Sequence, residues 1–130
     1  MINAEQELYD GVYTACQDLA PTYDYLPIED YAEMYPFIHV GELNLVGFQT
    51  TTSVGGTYTL SVDVWGTKEQ RIEVSDLGNQ IVMMCQGLFY TENFTFHCFF
   101  NEQERRMTTD TSVPNTVYQR CSLTLVFHLY

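Results

Sequence analysis

The sequence predicts an α+β domain: a single mostly antiparallel sheet with two helices packed on one face, in the order α-β-β-α-β-β. Three observations predict it. Two segments repeat apolar residues at helical spacing, and others alternate apolar and polar residues at the two-residue period of a strand. The 130 residues suit one domain, taken as 1–130, with a core that needs no disulfide or metal. With 45% hydrophobic residues, including 8 Phe and 10 Tyr, the chain reads as globular rather than disordered.

The first helix is expected from Asn3 to Ala20. Asn3 and Gln6 form a cap pair, Leu8, Val12, Cys16 and Leu19 form one apolar stripe, and Pro21 stops it. Residues Thr22 to Tyr35 are rich in tyrosine and acid, and Pro27 and Pro36 exclude a continuous helix, so an irregular connector is expected. Phe37 to Val40 reads as a strand weakened at Gly41. The stretch 44–56 reads as a long hairpin loop, because Gly47, Gly55 and Gly56 permit turns and the Thr/Ser run has no core to make. It nevertheless carries Leu45, Val46, Phe48 and Val54, and apolar residues on a polar loop suggest a partner surface.

Thr57 to Trp65 is the clearest strand. Tyr58, Leu60, Val62 and Val64 take one face, and Asp63 and Trp65 the other, with Gly66 ending it. Thr67 and Gln70 make a capping box for a second helix with a stripe of Val74, Leu77, Ile81, Met84 and Leu88, widened by Ile72, Val82 and Cys85. Gly78 inside it costs about 1 kcal/mol against alanine, which points to a close helix–sheet contact, and Gly87 is the stop. Asn93 to Asn101 is expected as a strand with Phe94, Phe96, Cys98 and Phe100 on one face. Glu102 to Pro114 reads as a polar loop holding Arg105 and Arg106. Thr116 to Tyr130 alternates over its whole length, with Cys121, Leu123, Leu125 and Phe127 on one face, so it should run beside another strand throughout.

Charge narrows the function. The chain has 17 Asp and Glu against 5 Lys and Arg, a net charge of −12. The first 67 residues hold ten acids and no base. Such a surface repels phosphate backbones and argues against specific nucleic-acid binding. No apolar stretch is long enough to span a membrane, and Met1 to Glu5 lacks the basic and apolar regions of a signal peptide, so a cytoplasmic product is expected. Cys16, Cys85, Cys98 and Cys121 form no CxxC pair and are expected as reduced, buried thiols.

No catalytic constellation stands out. His39, His97 and His128 fall in separate strand segments, and neighbouring His97 and Cys98 point to opposite faces. There is no P-loop, GxGxxG or GxSxG motif and no metal-ligand spacing. No enzyme activity, cofactor or metal is expected.

The block Tyr35-Pro36-Phe37-Ile38-His39-Val40-Gly41-Glu42, the Thr-rich run Thr50-Thr51-Thr52-Ser53 and the strand Leu60-Ser61-Val62-Asp63-Val64-Trp65-Gly66 are followed by a helix containing Val74-Ser75-Asp76-Leu77. Together they resemble the tail-terminator, or tail-completion, proteins that join tail to head in long-tailed bacteriophages. The resemblance covers roughly Thr22 to Gly87. It implies a homohexameric ring, made in the bacterial host cytoplasm and resident at the tail-neck of the virion. The ring caps the tail tube, ends elongation and meets a head-side connector or stopper protein, and DNA passes through its lumen without specific binding. The interface residues then expected are Leu45, Val46, Phe48, Thr50, Thr51, Thr52, Val54, Asp63, Trp65, Arg105 and Arg106, with Phe99 and Tyr118 as further aromatics for burial. A head-closure protein of the neck, or a small acidic protein-binding module, are the alternatives.

Overall fold

The computed structural model describes residues 3–27, 34–49 and 54–130. Helix α1 spans Ala4–Gln17 and α2 spans Arg71–Cys85. The strands are β1 (Thr22–Tyr23), β2 (Phe37–Gln49), β3 (Val54–Thr67), β4 (Gly87–Tyr90), β5 (Thr95–Cys98), β6 (Glu104–Asp110) and β7 (Tyr118–Leu129). They form one sheet in the order β1-β2-β3-β7-β5-β4, with β6 also on β7. Only the short β1–β2 pairing is parallel. The α+β class and the mostly antiparallel sheet are as the sequence predicts.

The core follows from strand alternation. Ile38, Val64 and Cys121 line up across β2, β3 and β7, as do Val40, Val62 and Leu123. Leu60 faces Leu125 and Tyr58 faces Phe127. All ten side chains are buried on the face that the helices cover. β7 is paired along its whole length, as its unbroken alternation requires. β3 lies on one edge, and β6 and β5 share the other.

Both helices bury most of their expected stripes, but α1 ends at Gln17, so Leu19 lies beyond it. Asn3 Oδ1 accepts from the Gln6 N–H at 3.1 Å, capping α1. The Gln6 side chain does not reciprocate, because it donates to Asp10 at 2.8 Å. Leu8, Val12 and Cys16 are fully buried. The Tyr9 and Tyr13 hydroxyls each donate at 3.0 Å, to the Val40 and Thr22 carbonyls, and fasten α1 to the sheet edge. At α2 the expected box does not cap the helix: the N-cap is Gln70, without a side-chain cap bond, and its Oε1 accepts from the Thr67 N–H at 2.9 Å in the turn that precedes the helix. A Cβ on Gly78 would sit 2.6 Å from Cys121 Sγ, so the glycine does permit the close approach of α2 to β7. Gly87, at φ +87°, turns the chain out of α2 as expected. Ile72 is 73% exposed and Leu88 lies in β4, so neither belongs to the buried stripe.

Four expectations are corrected. First, β2 does not stop at Gly41. Val40 pairs with Val62 and Leu43 with Leu60, so Gly41 and Glu42 together oppose Ser61 alone. This bulge moves the core-facing set from even to odd positions and keeps Glu42 off the apolar face. Second, 44–56 is mostly not a loop. The described residues on either side are paired arms, from Asn44 with Thr59 to Gln49 with Val54. Third, the expected 102–114 loop contains β6, which covers the first half of β7. Fourth, the strand expected at 93–101 is shorter. Phe100 leaves it in a 3-10 turn, Phe100–Glu102, and is exposed. β4, which the sequence reading lacks, pairs antiparallel with β5. The acids Glu29, Asp30 and Glu33 of the connector lie outside the described residues.

Candidate functional site

Among the described residues the helices pack on one face of the sheet and neither covers the other, the open face, to which β-strand alternation sends a defined set of side chains. They include His39 of β2, Asp63 and Trp65 of β3, Arg106 of β6, and Tyr118, Arg120, Ser122, Thr124 and His128 of β7. At one end Asp63 Oδ1 accepts from Arg120 Nε at 3.2 Å and pairs with Nη2 at 3.2 Å. The Arg120 guanidinium also lies over the Trp65 ring, 4.8 Å from its centroid, a cation–π contact. His39 Nδ1 is 3.9 Å from Asp63 Oδ2, beyond hydrogen-bond range. Among the described residues, this nitrogen and Trp65 Nε1 are buried atoms without a hydrogen-bond partner. Tyr118 meets Trp65 edge-on and stacks on Tyr35, and Phe37 and Tyr23 continue the aromatic cluster.

The other end of the face is aromatic and histidine-rich. His97 packs against Phe99, with ring centroids 3.9 Å apart, and lies near Tyr130. His128 Nε2 and Glu102 Oε1 are 2.7 Å apart. Leu88, Tyr90, Phe99 and Tyr130 are exposed, Tyr130 at 80%.

Between the two ends, β6 and β7 form a groove of about 550 Å³ lined by Glu104, Arg105, Arg106, Thr108, Arg120, Ser122 and Thr124. Arg105 and Arg106 do not act together, because a strand sends neighbours to opposite faces. Arg105 turns to the helix side, where its Nη2 donates to Ser75 O at 3.1 Å and Ser75 Oγ at 2.7 Å. Arg106 is exposed on the open face, in register with Ser122.

The remaining expected interface residues divide likewise. Leu45 pairs with Tyr58 on the helix side, while Val46, 75% exposed, pairs with Thr57 on the open side. Phe48 and Val54 lie in the paired arms of the hairpin, and Thr50, Thr51 and Thr52 lie outside the described residues. So Asp63, Trp65, Arg106 and Val46 share a face, and Leu45 and Arg105 do not join them. Sequence reasoning missed His39, Arg120, Leu88, Tyr90 and Tyr130 as members of this surface. Arg120 carried a signal for its face alone: it falls on the polar side of the β7 alternation, and its meeting with Asp63 follows from the register.

The thiols offer no nucleophile at neutral pH. Burial pushes Cys16 up to about 12 and Cys98 up to about 11, and raises Cys85 and Cys121 as well. Among the described residues no three His, Cys, Asp or Glu side chains gather as a metal site, and no helix is long and apolar enough to cross a membrane.

No family model matches the sequence, and no curated protein matches it. Among solved structures, a chain from the virion of a native gene transfer agent particle is similar, with a TM-score of 0.66 and 13% identity. The likeness covers 97% of this chain and 93% of that one. At that identity it is a likeness of fold.

Proposed function

We propose that the protein is a structural component of a virion, and that within it the chain forms the ring that caps the tail tube. The ring ends tail elongation and presents a joint to the head connector, a role without a catalytic step. One observation carries the reading: the similar solved chain belongs to a virion particle, and the likeness runs nearly end to end in both chains. The resemblance of the YPF and VDVWG segments to tail-terminator proteins supplies the finer assignment.

The surface is compatible with such a ring. The open sheet face combines exposed aromatics with polar and charged groups, a composition suited to a protein interface. Six copies bring together six times a charge of −12, so the subunit contacts must offset a large self-repulsion. The same acidity would let DNA pass without adhering.

The hairpin supplies the test. Beyond Val46 and Thr57, its arms pair only with each other. Replacing residues 47–56 by Asn-Gly keeps the Val46–Thr57 pair and closes it with a two-residue turn. Cooperative unfolding should persist, and binding to one end of purified tail tubes, read by co-sedimentation and electron microscopy, should be lost. A native chain indifferent to tube ends refutes the tail reading. If that chain binds the connector instead, it is a head-closure protein.

A further inference from the structure

We infer that the β6–β7 groove docks the acidic flank of α1 from a second copy of this chain, head to tail. The inference rests on the ring reading above and specifies which two surfaces meet.

It starts from the scarcity of positive charge. The chain has 5 Lys and Arg, and Arg105, Arg106 and Arg120 all line one groove. Within it Asp63 neutralises Arg120 and Arg105 is held by Ser75, while Glu104, two residues from Arg106 on the same face of β6, makes no ion pair with Arg106 within 4.0 Å. Arg106 is exposed and makes no hydrogen bond or ion pair among the described residues. Its charge is therefore available to an incoming acid.

The complementary surface lies on the same chain. A second groove, of about 610 Å³, runs between α1 and the turn after β4, and is lined by Glu7, Asp10, Asp18 and Glu92 without any base. Glu7 is occupied, accepting from Asn93 and Thr91. Asp10, Asp18 and Glu92 are exposed, and Asp10 accepts a single bond, from the neutral Gln6 amide of its own helix. The exposed acids on this flank are opposite in charge to the unpaired Arg106 of the β6–β7 groove.

The two surfaces are on different faces of the molecule. α1 packs on the covered side of the sheet, while Arg106 and Arg120 are on the open side. Neither patch can satisfy itself across a two-fold axis by meeting its own copy. Their contact is heterologous, the class that generates a ring when the rotation closes. A chain of net charge −12 associates with itself most readily where its few bases meet its acids.

The test compares the full native chain with Arg106→Glu, Asp10→Lys and an equal mixture of the two. Light scattering gives the mass over a range of concentration at low and high salt. Urea unfolding checks each variant, and Arg106→Gln, which only removes charge, provides a milder version. The native chain should associate, and more tightly at low salt. Each charge reversal should weaken association roughly tenfold or more, and Arg106→Gln by less in the same direction. The mixture should recover assembly, because alternating copies make one native and one inverted charge contact. If both reversals leave association unchanged, or the mixture does no better than either variant, the contact is refuted while tube capping still decides the ring reading. A native chain that remains monomeric at every concentration refutes the contact too. Loss of association on adding inorganic phosphate to the native chain at constant ionic strength supports the groove, since the anion competes for Arg106.

Discussion

Replacing Gly78 by alanine sets two opposed effects against each other. In the interior of a helix the substitution alone is worth about 1 kcal/mol in favour of folding. The added Cβ would lie 2.6 Å from Cys121 Sγ and 3.5 Å from Cys121 Cβ. Carbon and sulfur need close to 4 Å, so α2 and β7 must separate, or Cys121 must turn, by about 1 Å. Cys121 is fully buried on β7, between Val64 on β3 and Met107 on β6. Overpacking of this kind costs about 1–3 kcal/mol, so Gly78→Ala should destabilise by about 1 kcal/mol net. Cys121→Ala alone should lose a similar amount, because it leaves a small void. In the double variant the new methyl occupies that void, and the two losses should fall short of adding by about 1 kcal/mol or more. Urea unfolding with an unchanged slope measures all three. Stabilisation by Gly78→Ala, or strict additivity, would refute the claim that the α2–β7 spacing is set by this glycine.

Two further outcomes follow from titratable groups. The Asn93 side chain and backbone N–H, with the Thr91 hydroxyl, hold Glu7 below its ordinary value of 4.5. A lowered folded value means that these bonds stabilise the protein above pH 4.5 and are lost as pH falls through the folded value. Glu7→Gln should flatten that limb of the stability–pH curve, and an unchanged limb would show that the α1 contact to the 91–93 turn is not formed in solution. The thiols of Cys16, Cys85, Cys98 and Cys121 are buried and raised, so a thiol reagent should label none until the protein is denatured. Rapid labelling of the folded chain would contradict the packing of the core.

The elements legible in the sequence are those whose period matches their burial. α1 shows one stripe because only one side is covered, and β3 and β7 alternate because each has one face on the helices. β6 reads ERRMTTD, with polar residues on both sides, because it pairs on one edge only and its outward groups meet solvent. β4 hides for the opposite reason: Leu88 continues the helical spacing of Met84, and the series is broken by the extended backbone of Gln86 and the positive φ of Gly87. The hairpin is obscured by composition. Gly47 and Gly56 stand directly opposite each other in the ladder, and the missing side chain of Gly56 makes room for Leu45. The open-face site depends on register. Asp63 is level with Ser122 and reaches Arg120 on the diagonal, and no local pattern announces that pairing. The split of Arg105 from Arg106 became legible only once their segment proved to be a strand.

The placement of β7 also governs when the protein can fold during its synthesis. Its residues pair with β3 partners made 51 to 71 residues earlier. At ordinary translation speeds the ribosome needs roughly 3–14 s to cover that interval. Until then the β3 edge beside Leu60, Val62 and Val64 has no β7 to pair with, and an unpaired strand edge is the kind of surface that other chains join. A nascent chain stalled before residue 118 therefore displays an adhesive strand rather than a partly finished domain. Synthesis of residues 118–129 converts that strand into the middle of the sheet, so the long-range β3–β7 pairing is the last to become available.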